Sequence, residues 1–325
     1  MERYECLGKI GEGAAGVVHR AQDRRTGETV AVKRLRGGIG GGCGGVDEKE
    51  CLREARCLEA CRGHPHLVEL RAAHRERGCC YIVMEYVDGP SLARVVREKR
   101  RGRPFTEAEA RRLMRQLIDG VAAMHAAGVM HRDLKPDNVV VGARGDLKIC
   151  DFGMSRIVDA GEPPYTSPVV TLWYRAPELI LGSQEYDSHV DTWSLGCIMA
   201  ELLAGSPLFP GRSEMDQLNR VFDTVGMQDM KSWPGFARLP RAESALCHRA
   251  RPPSRLREML PTLSAAGFDV LSGLLVCRPD RRLTAADALQ CPWFTDADAP
   301  DAAPAACGGA RFTHCISGVA DAIVV

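Results

Sequence analysis

The stretch His131-Arg132-Asp133-Leu134-Lys135-Pro136-Asp137-Asn138, followed downstream by Asp151-Phe152-Gly153, decides how this chain reads. Asp133 and Asn138 stand five apart across a proline, so they share a loop and not a helix face. Two short apolar runs, Val139 to Val141 and Leu147 to Cys150, follow with a turn at Gly142 to Gly145 between them. Two carboxylates and an amide are thereby carried toward one place. Such a set suits metal-assisted phosphoryl transfer, because Mg²⁺ takes oxygen ligands and bridges protein to phosphates. The plain alternative is a pair of hairpins with polar tips.

Upstream, Gly11-Glu12-Gly13-Ala14-Ala15-Gly16-Val17-Val18 is a G-x-G-x-x-G-x-V stretch. A dinucleotide fold wants a strand, this loop, then a helix. Here the runs Tyr4 to Ile10 and Gly16 to Gln22 flank the glycines, so the context is strand–loop–strand, a hairpin folded over nucleotide phosphates. A glycine-rich hairpin without a ligand fits this motif alone. Val30-Ala31-Val32-Lys33 lies in a third strand, Thr29 to Leu35. A lysine so placed usually faces solvent unless a carboxylate fixes it, and Glu54, on a helix expected over Asp47 to Ala60, is the candidate.

Between that strand and helix, Gly37 to Gly45 is too glycine-rich for regular structure. Leu67 to Leu70 and Tyr81 to Val87 read as further strands, stopped by Asp88-Gly89-Pro90. Beyond the stop the apolar period changes from two to 3.6. Thr106-Glu107-Ala108-Glu109 is a capping box, and Ala110, Leu113, Met114, Leu117, Ile118, Val121 and Met124 follow on one helical face, ended by Gly128. More helices are expected at Asp191 to Leu203, Asp216 to Val225, Phe268 to Cys277 and Thr284 to Leu289. The fold class is therefore α+β, a two-lobed domain over 4–294. Its small β-rich lobe, about 4–86, joins through 85–90 to a larger helical lobe, 91–294. Residues 295–325, rich in Ala, Asp, Pro and Gly, read as a disordered tail.

Composition agrees. The 325 residues are 45% apolar and 26% charged, enough for a real core. Forty-three basic against forty-two acidic residues leave +1, which argues against a dedicated nucleic-acid or membrane-surface binder. No run of eighteen apolar residues suggests a span, and the N-terminus carries no secretory pattern. The fourteen cysteines include no Cys-x-x-Cys pair, so free thiols in a reducing, intracellular setting are expected. Lys99-Arg100-Arg101-Gly102-Arg103-Pro104 reads as a solvated loop ahead of the Thr106 helix rather than as a nuclear-localisation patch, and His64-Pro65-His66 as a turn.

The assembled motifs resemble those of the eukaryotic protein kinases over about residues 4 to 294, and most nearly the cyclin-dependent kinases. To the stretches above they add Ala176-Pro177-Glu178, then Val169-Val170-Thr171-Leu172-Trp173-Tyr174-Arg175, Asp191-Thr192-Trp193-Ser194-Leu195-Gly196-Cys197 and Leu208-Phe209-Pro210-Gly211 with Ser213 to Leu218. The resemblance implies transfer of the ATP γ-phosphoryl group to Ser or Thr, with ATP and Mg²⁺ as cofactors. Asp133 would orient the acceptor hydroxyl, Lys135 would touch the γ-phosphate, and Thr171 would bridge the two. Asn138 and Asp151 would hold Mg²⁺. Lys33, steadied by Glu54, would hold the α- and β-phosphates under a loop built from Ile10, Gly11, Glu12, Gly13, Ala14, Ala15, Gly16 and Val17. Val18, Ala31 and Val140 would sandwich adenine, with Met84 behind it and the hinge residues Glu85 and Val87 at its edge. Glu178 would pair with Arg282. Thr166 would take an activating phosphate from an upstream kinase, in a pocket of Arg53, Arg132 and Arg156. Proteins with Ser/Thr-Pro are the implied substrates, the RNA polymerase II tail among the family's known classes, and a cyclin the implied partner, in nucleus or cytoplasm.

The chain departs from the family in two places. Relatives commonly carry Thr-Tyr where Ala14-Ala15 stands, so an inhibitory phosphorylation there is chemically impossible. The helix Glu48-Lys49-Glu50-Cys51-Leu52-Arg53-Glu54 keeps only the Arg-Glu end of the Pro-Ser-Thr-Ala-Ile-Arg-Glu type of cyclin-facing sequence. Asp137 stands where many relatives carry Gln or Glu.

Overall fold

Thr29–Leu35 is buried at almost every position, the pattern of a strand covered on both faces. In the computed structural model it is the third of five antiparallel strands: β1 (Tyr4–Gly13), β2 (Gly16–Asp23), β3 (Thr29–Leu35), β4 (Leu70–Glu76) and β5 (Cys79–Glu85), in the order β1-β2-β3-β5-β4. The structure describes residues 2–13, 16–35, 48–76, 79–158, 172–227, 230–246, 254–295 and 323–324. Helix α1 (Glu48–Ala60) covers one face of this sheet, its Cys57 and Leu58, with Cys61 just after it, buried with Leu70, Ile82 and Met84. On the other face Ala21, Val30, Val32 and Val83 form a small separate cluster under Tyr4, Ala72 and Tyr81.

The helical lobe begins with a single turn, α2 (Leu92–Arg94), and α3 (Glu107–Ala126). The Thr106 hydroxyl accepts the Glu109 N–H and the Glu109 carboxylate accepts the Thr106 N–H, so the expected capping box forms. Four short strands follow, β6 (Val129–Met130), β7 (Val139–Val141), β8 (Leu147–Ile149) and β9 (Arg156–Ile157), paired β6 with β9 and β7 with β8. Helices α4 (Pro177–Ile180), α5 (His189–Ala204), α6 (Glu214–Val225), α7 (Ala242–Leu246), α8 (Leu256–Met259), α9 (Ala265–Leu274), α10 (Ala285–Leu289) and α11 (Pro292–Thr295) complete the lobe. Helix α5, predominantly apolar, is buried from Val190 through Leu202 and serves as the lobe's central post. Among the described residues no helix is long and apolar enough to cross a membrane.

Some expectations need correction. The strand expected at Leu67 to Leu70 is only a bridge at Leu67, and the true strand starts where that run ends. Leu67 pairs with Ile149 across the lobes instead: the Val68 N–H reaches the Ile149 carbonyl at 3.0 Å, and the Ile149 N–H reaches the His66 carbonyl at 2.9 Å. The last sheet strand ends at Glu85, two residues short of Val87. In the tail read as disordered, Ile323–Val324 lies parallel to β1 opposite Gly11 and Glu12. The glycine run 37–45 and most of the tail lie outside the described residues. His64 and His66 do form a turn, with the His66 ring against the Leu147 carbonyl. In the basic run Arg100 lies 4.0 Å over the Phe105 ring and bonds Glu109.

Candidate active site

Lys33 sits on a largely buried strand, and its ammonium would be costly there without partners. It has three bonds: Glu54 Oε1 at 2.9 Å, Glu54 Oε2 at 3.1 Å and Asp151 Oδ1 at 2.7 Å. Burial pulls the Lys33 pKa down, but the Asp151 and Glu54 carboxylates more than reverse this, so the ammonium stays charged. Lys33 in turn holds the Asp151 carboxyl at a pKa of about 2 against the opposing pull of burial. One side chain thus joins β3, α1 and the Asp151 turn, spanning both lobes.

Asp151 adopts a left-handed backbone, φ 59°, unusual for a residue with a Cβ. What permits it lies behind it. Phe152 is fully buried edge-on against His131, ring centres 5.2 Å apart, and His131 Nε2 lies 2.9 Å from the Cys150 carbonyl.

The loop from His131 to Asn138 is held the same way. Arg132 also takes positive φ, 68°. The carboxylate of Asp191, at the start of α5, accepts the His131 N–H at 2.8 Å and the Arg132 N–H at 2.7 Å, with His125 Nε2 at 2.9 Å. Burial works against that charge, but these bonds prevail and the Asp191 pKa is lowered. Asp191 is a functional residue that motif reading quoted without a role. An acid in the first turn of a predominantly apolar helix was the available signal. From this anchored loop Asp133 meets Lys135 Nζ at 3.1 Å, and Asn138 Nδ2 donates to its carbonyl at 2.8 Å and its carboxylate at 3.0 Å. Burial raises the Asp133 pKa, partly offset by Lys135.

The glycine hairpin pairs Gly11 with Val18, Glu12 with Val17 and Gly13 with Gly16, as expected, beside Ile10. Only glycine fits at 16, where a Cβ would stand 2.3 Å from the Arg34 carbonyl oxygen. Val18 lies opposite Lys33, and Ala31 opposite the buried Met84. Val140 pairs with Lys148 and bridges to Ser91 just past the hinge. Val87 is half-buried. The Glu85 carboxylate is committed to Lys148 and to the Glu69 N–H, and its own N–H to the Glu69 carbonyl. Gly89, also missed, lies so close to β7 that a Cβ would fall 1.9 Å from the Val141 carbonyl oxygen. Ala14, Ala15, Thr166 and Thr171 lie outside the described residues.

Around the expected phosphate pocket, Arg132 donates to the Met154 carbonyl at 2.8 Å and the Tyr186 hydroxyl at 2.7 Å. Arg53 and Arg132 both act on the buried Cys57 thiol, although burial dominates and lifts it to about 12. Arg156 pairs with Met130 in the β6–β9 ladder, against which α1 packs. Glu178 and Arg282 form the expected pair, 2.8 and 2.9 Å, fully buried. Arg175 reaches Glu214 Oε1 at 3.4 Å, on the first turn of α6.

The donor set suits Mg²⁺ shared with phosphates. Asn138 spends its amide nitrogen on Asp133, which leaves its oxygen as an acceptor, and Asp151 stays anionic. Two such oxygens are too few for an all-protein cage and match a hard cation that completes its shell with phosphate and water.

A protein kinase domain model matches residues 4–294. The chain is 86% identical, across the whole of both proteins, to a protein of Oryza sativa subsp. japonica named "Putative cyclin-dependent kinase F-2". The chain belongs to the cyclin-dependent kinase family. This kinase is also 39% identical to human cyclin-dependent kinase 20, over 92% of its own length and 85% of that protein. It is 42% identical to cyclin-dependent kinase G-2 of Oryza sativa subsp. indica, of which it spans 42%. Membership implies Ser/Thr protein kinase activity with ATP and Mg²⁺.

Proposed function

We propose that this kinase transfers phosphate from Mg²⁺-ATP to Ser or Thr followed by Pro, and that phosphorylation of Thr166 by an upstream kinase activates it. The observation that carries the reading is Lys33 bonded at once to Glu54 and Asp151, an arrangement that needs α1 and the Asp151 turn both docked. Bound Mg²⁺ would neutralise charge on the phosphates. Lys33 would hold the α- and β-phosphates, Asn138 and Asp151 would supply the cation's protein oxygens, and Val87 would meet adenine through its backbone. Asp133, its carboxylate fixed by Asn138 and Lys135, would orient the acceptor hydroxyl, and Lys135 would face the γ-phosphate, joined by Thr171. Preference for proline rests on family likeness at Val170 and Arg175: an acceptor-adjacent N–H without a partner costs about 1–3 kcal/mol, and proline has none. Activation rests on Arg53, Arg132 and Arg156, which a phosphate of about −1.5 to −2 charge could bind together.

A cyclin is the proposed partner and α1 its site. Leu52, beside Arg53-Glu54, is 45% exposed, one of three exposed large apolar side chains among the described residues. Its activity would be exerted inside the cell, in nucleus or cytoplasm. A degenerate peptide library with Mg²⁺-ATP tests the substrate reading, and indifference to proline after the acceptor defeats it. Phosphate mapping with Thr166→Ala and Ser167→Ala tests activation; full activity in Thr166→Ala defeats it. Pull-down of a cyclin-box protein by the parent and its loss in Leu52→Asp test the partner; no capture by the parent favours a cyclin-independent kinase, and equal capture by both moves the site away from Leu52.

A further inference from the structure

Behind the hinge, Lys148 on β8 donates from Nζ to Glu85 Oε1 at 2.6 Å and to the Leu67 carbonyl at 3.2 Å. Both charged side chains are only 18% exposed. The same Glu85 oxygen accepts the Glu69 N–H at 2.9 Å, and the Glu85 N–H returns a bond to the Glu69 carbonyl at 2.9 Å. Three segments therefore meet on one ion pair. Glu85 ends β5 and opens the hinge; Leu67 to Glu69 follow α1, which carries Glu54; β8 leads within three residues to Asp151. The pair does not face the phosphates, and no family motif named above includes Lys148. Its partners are the three chain segments whose relative placement sets the distance between hinge and Asp151.

We infer that Glu85 and Lys148 are positioning residues: their ion pair fixes the hinge against β8 and so sets the nucleotide site's fit to ATP, without taking part in phosphoryl transfer. A shielded, charge-assisted bond of this length has a defined geometry, and removing one partner leaves the other charge largely buried and unpaired. Without it the hinge backbone and the Asp151 turn lose their common reference. ATP then binds a site that must first be ordered, which lowers affinity by the fraction of time the site is formed. Asp133, Lys135 and Asn138 sit on a loop held separately through Asp191, so the chemical step is spared.

The test is steady-state kinetics on the full chain, with its activating partner if one is required, for Lys148→Met, Lys148→Arg, Glu85→Gln and the Lys148→Met/Glu85→Gln double variant. Lys148→Met is expected to raise KM for ATP by about tenfold with kcat changed less than twofold, the pattern of lost binding. Lys148→Arg restores the charge and should return KM to within about threefold of the parent. The double variant should be no worse than the worse single variant, since both remove one interaction. Unchanged KM in Lys148→Met overturns the inference, as does a fall in kcat without a change in KM, a rise in kcat, or strictly multiplicative single effects. The inference rests on nucleotide binding in this cleft. Failure of that reading would appear separately, as absence of ATP turnover in the parent.

Discussion

Replacing Asp191 by Asn tests the frame of the catalytic loop rather than its chemistry. The buried carboxylate divides its oxygens, Oδ1 to the Arg132 N–H and Oδ2 to the His131 N–H and the His125 ring. An amide keeps one oxygen and turns a donor toward whatever met the other. Either orientation leaves one buried backbone N–H without an acceptor, which costs about 1–3 kcal/mol, and the surviving bonds lose their charge assistance, about 1 kcal/mol more. The total, roughly 2–4 kcal/mol, is a large part of the 5–15 kcal/mol typical of a domain. Arg132, held at φ 68° by these bonds, would relax and take Asp133 with it. Urea denaturation should show the loss, and kcat should fall at least about tenfold because a small misplacement is amplified in the rate. The pH dependence carries the same sign. A carboxyl with depressed folded pKa contributes stability above its unfolded value of about 3.9, lost as pH falls through the folded one. The Asn variant should therefore lose part of the parent's acid-induced destabilisation. An unchanged urea midpoint together with kcat within twofold of the parent would refute the reasoning.

Asp133→Asn should lower kcat by about 10²–10⁴-fold with ATP affinity largely kept, whereas Asp151→Asn should also weaken Mg²⁺-dependent nucleotide binding; calorimetry beside the kinetic assay separates them. The Ser155 hydroxyl is fully buried with no hydrogen-bond partner among the described residues, so Ser155→Ala should stabilise the fold by about 1–3 kcal/mol, and a lower urea midpoint would contradict this. Gly89→Ala should cost about 1–3 kcal/mol, read as a fall in Tm, because its new methyl meets the Val141 carbonyl; an unchanged Tm would show that the hinge yields freely.

The parts of the site legible in sequence are those whose chemistry sits in short contiguous stretches. The glycine hairpin, the Asp133–Asn138 loop and the hairpin leading to Asp151 each announce themselves by spacing. The Lys33–Glu54 pair was also legible, since a lone charge on a buried strand demands a partner on a neighbouring element. Asp191 was not, because two of its ligands are backbone N–H groups some sixty residues away and backbone carries no sequence signature. Gly89 reads as a turn glycine until β7 is placed against it. Leu67 to Leu70 misled because alternation shows that a run is extended without showing what it pairs with, and here the partner is β8 in the other lobe. The direction of the Glu85 side chain was hidden for the same reason, since Lys148 comes from that strand.

The most direct test of the account is the initial rate of γ-phosphoryl transfer from Mg²⁺-ATP to a Ser/Thr-Pro peptide, by the parent and by Asp133→Asn after equal partner loading and Thr166 phosphorylation. The parent should label the peptide, and Asp133→Asn should lose about 10²–10⁴-fold of that rate. No transfer by the parent, or equal transfer by both, would contradict the central claim that this cleft is a working Ser/Thr kinase site built around Asp133.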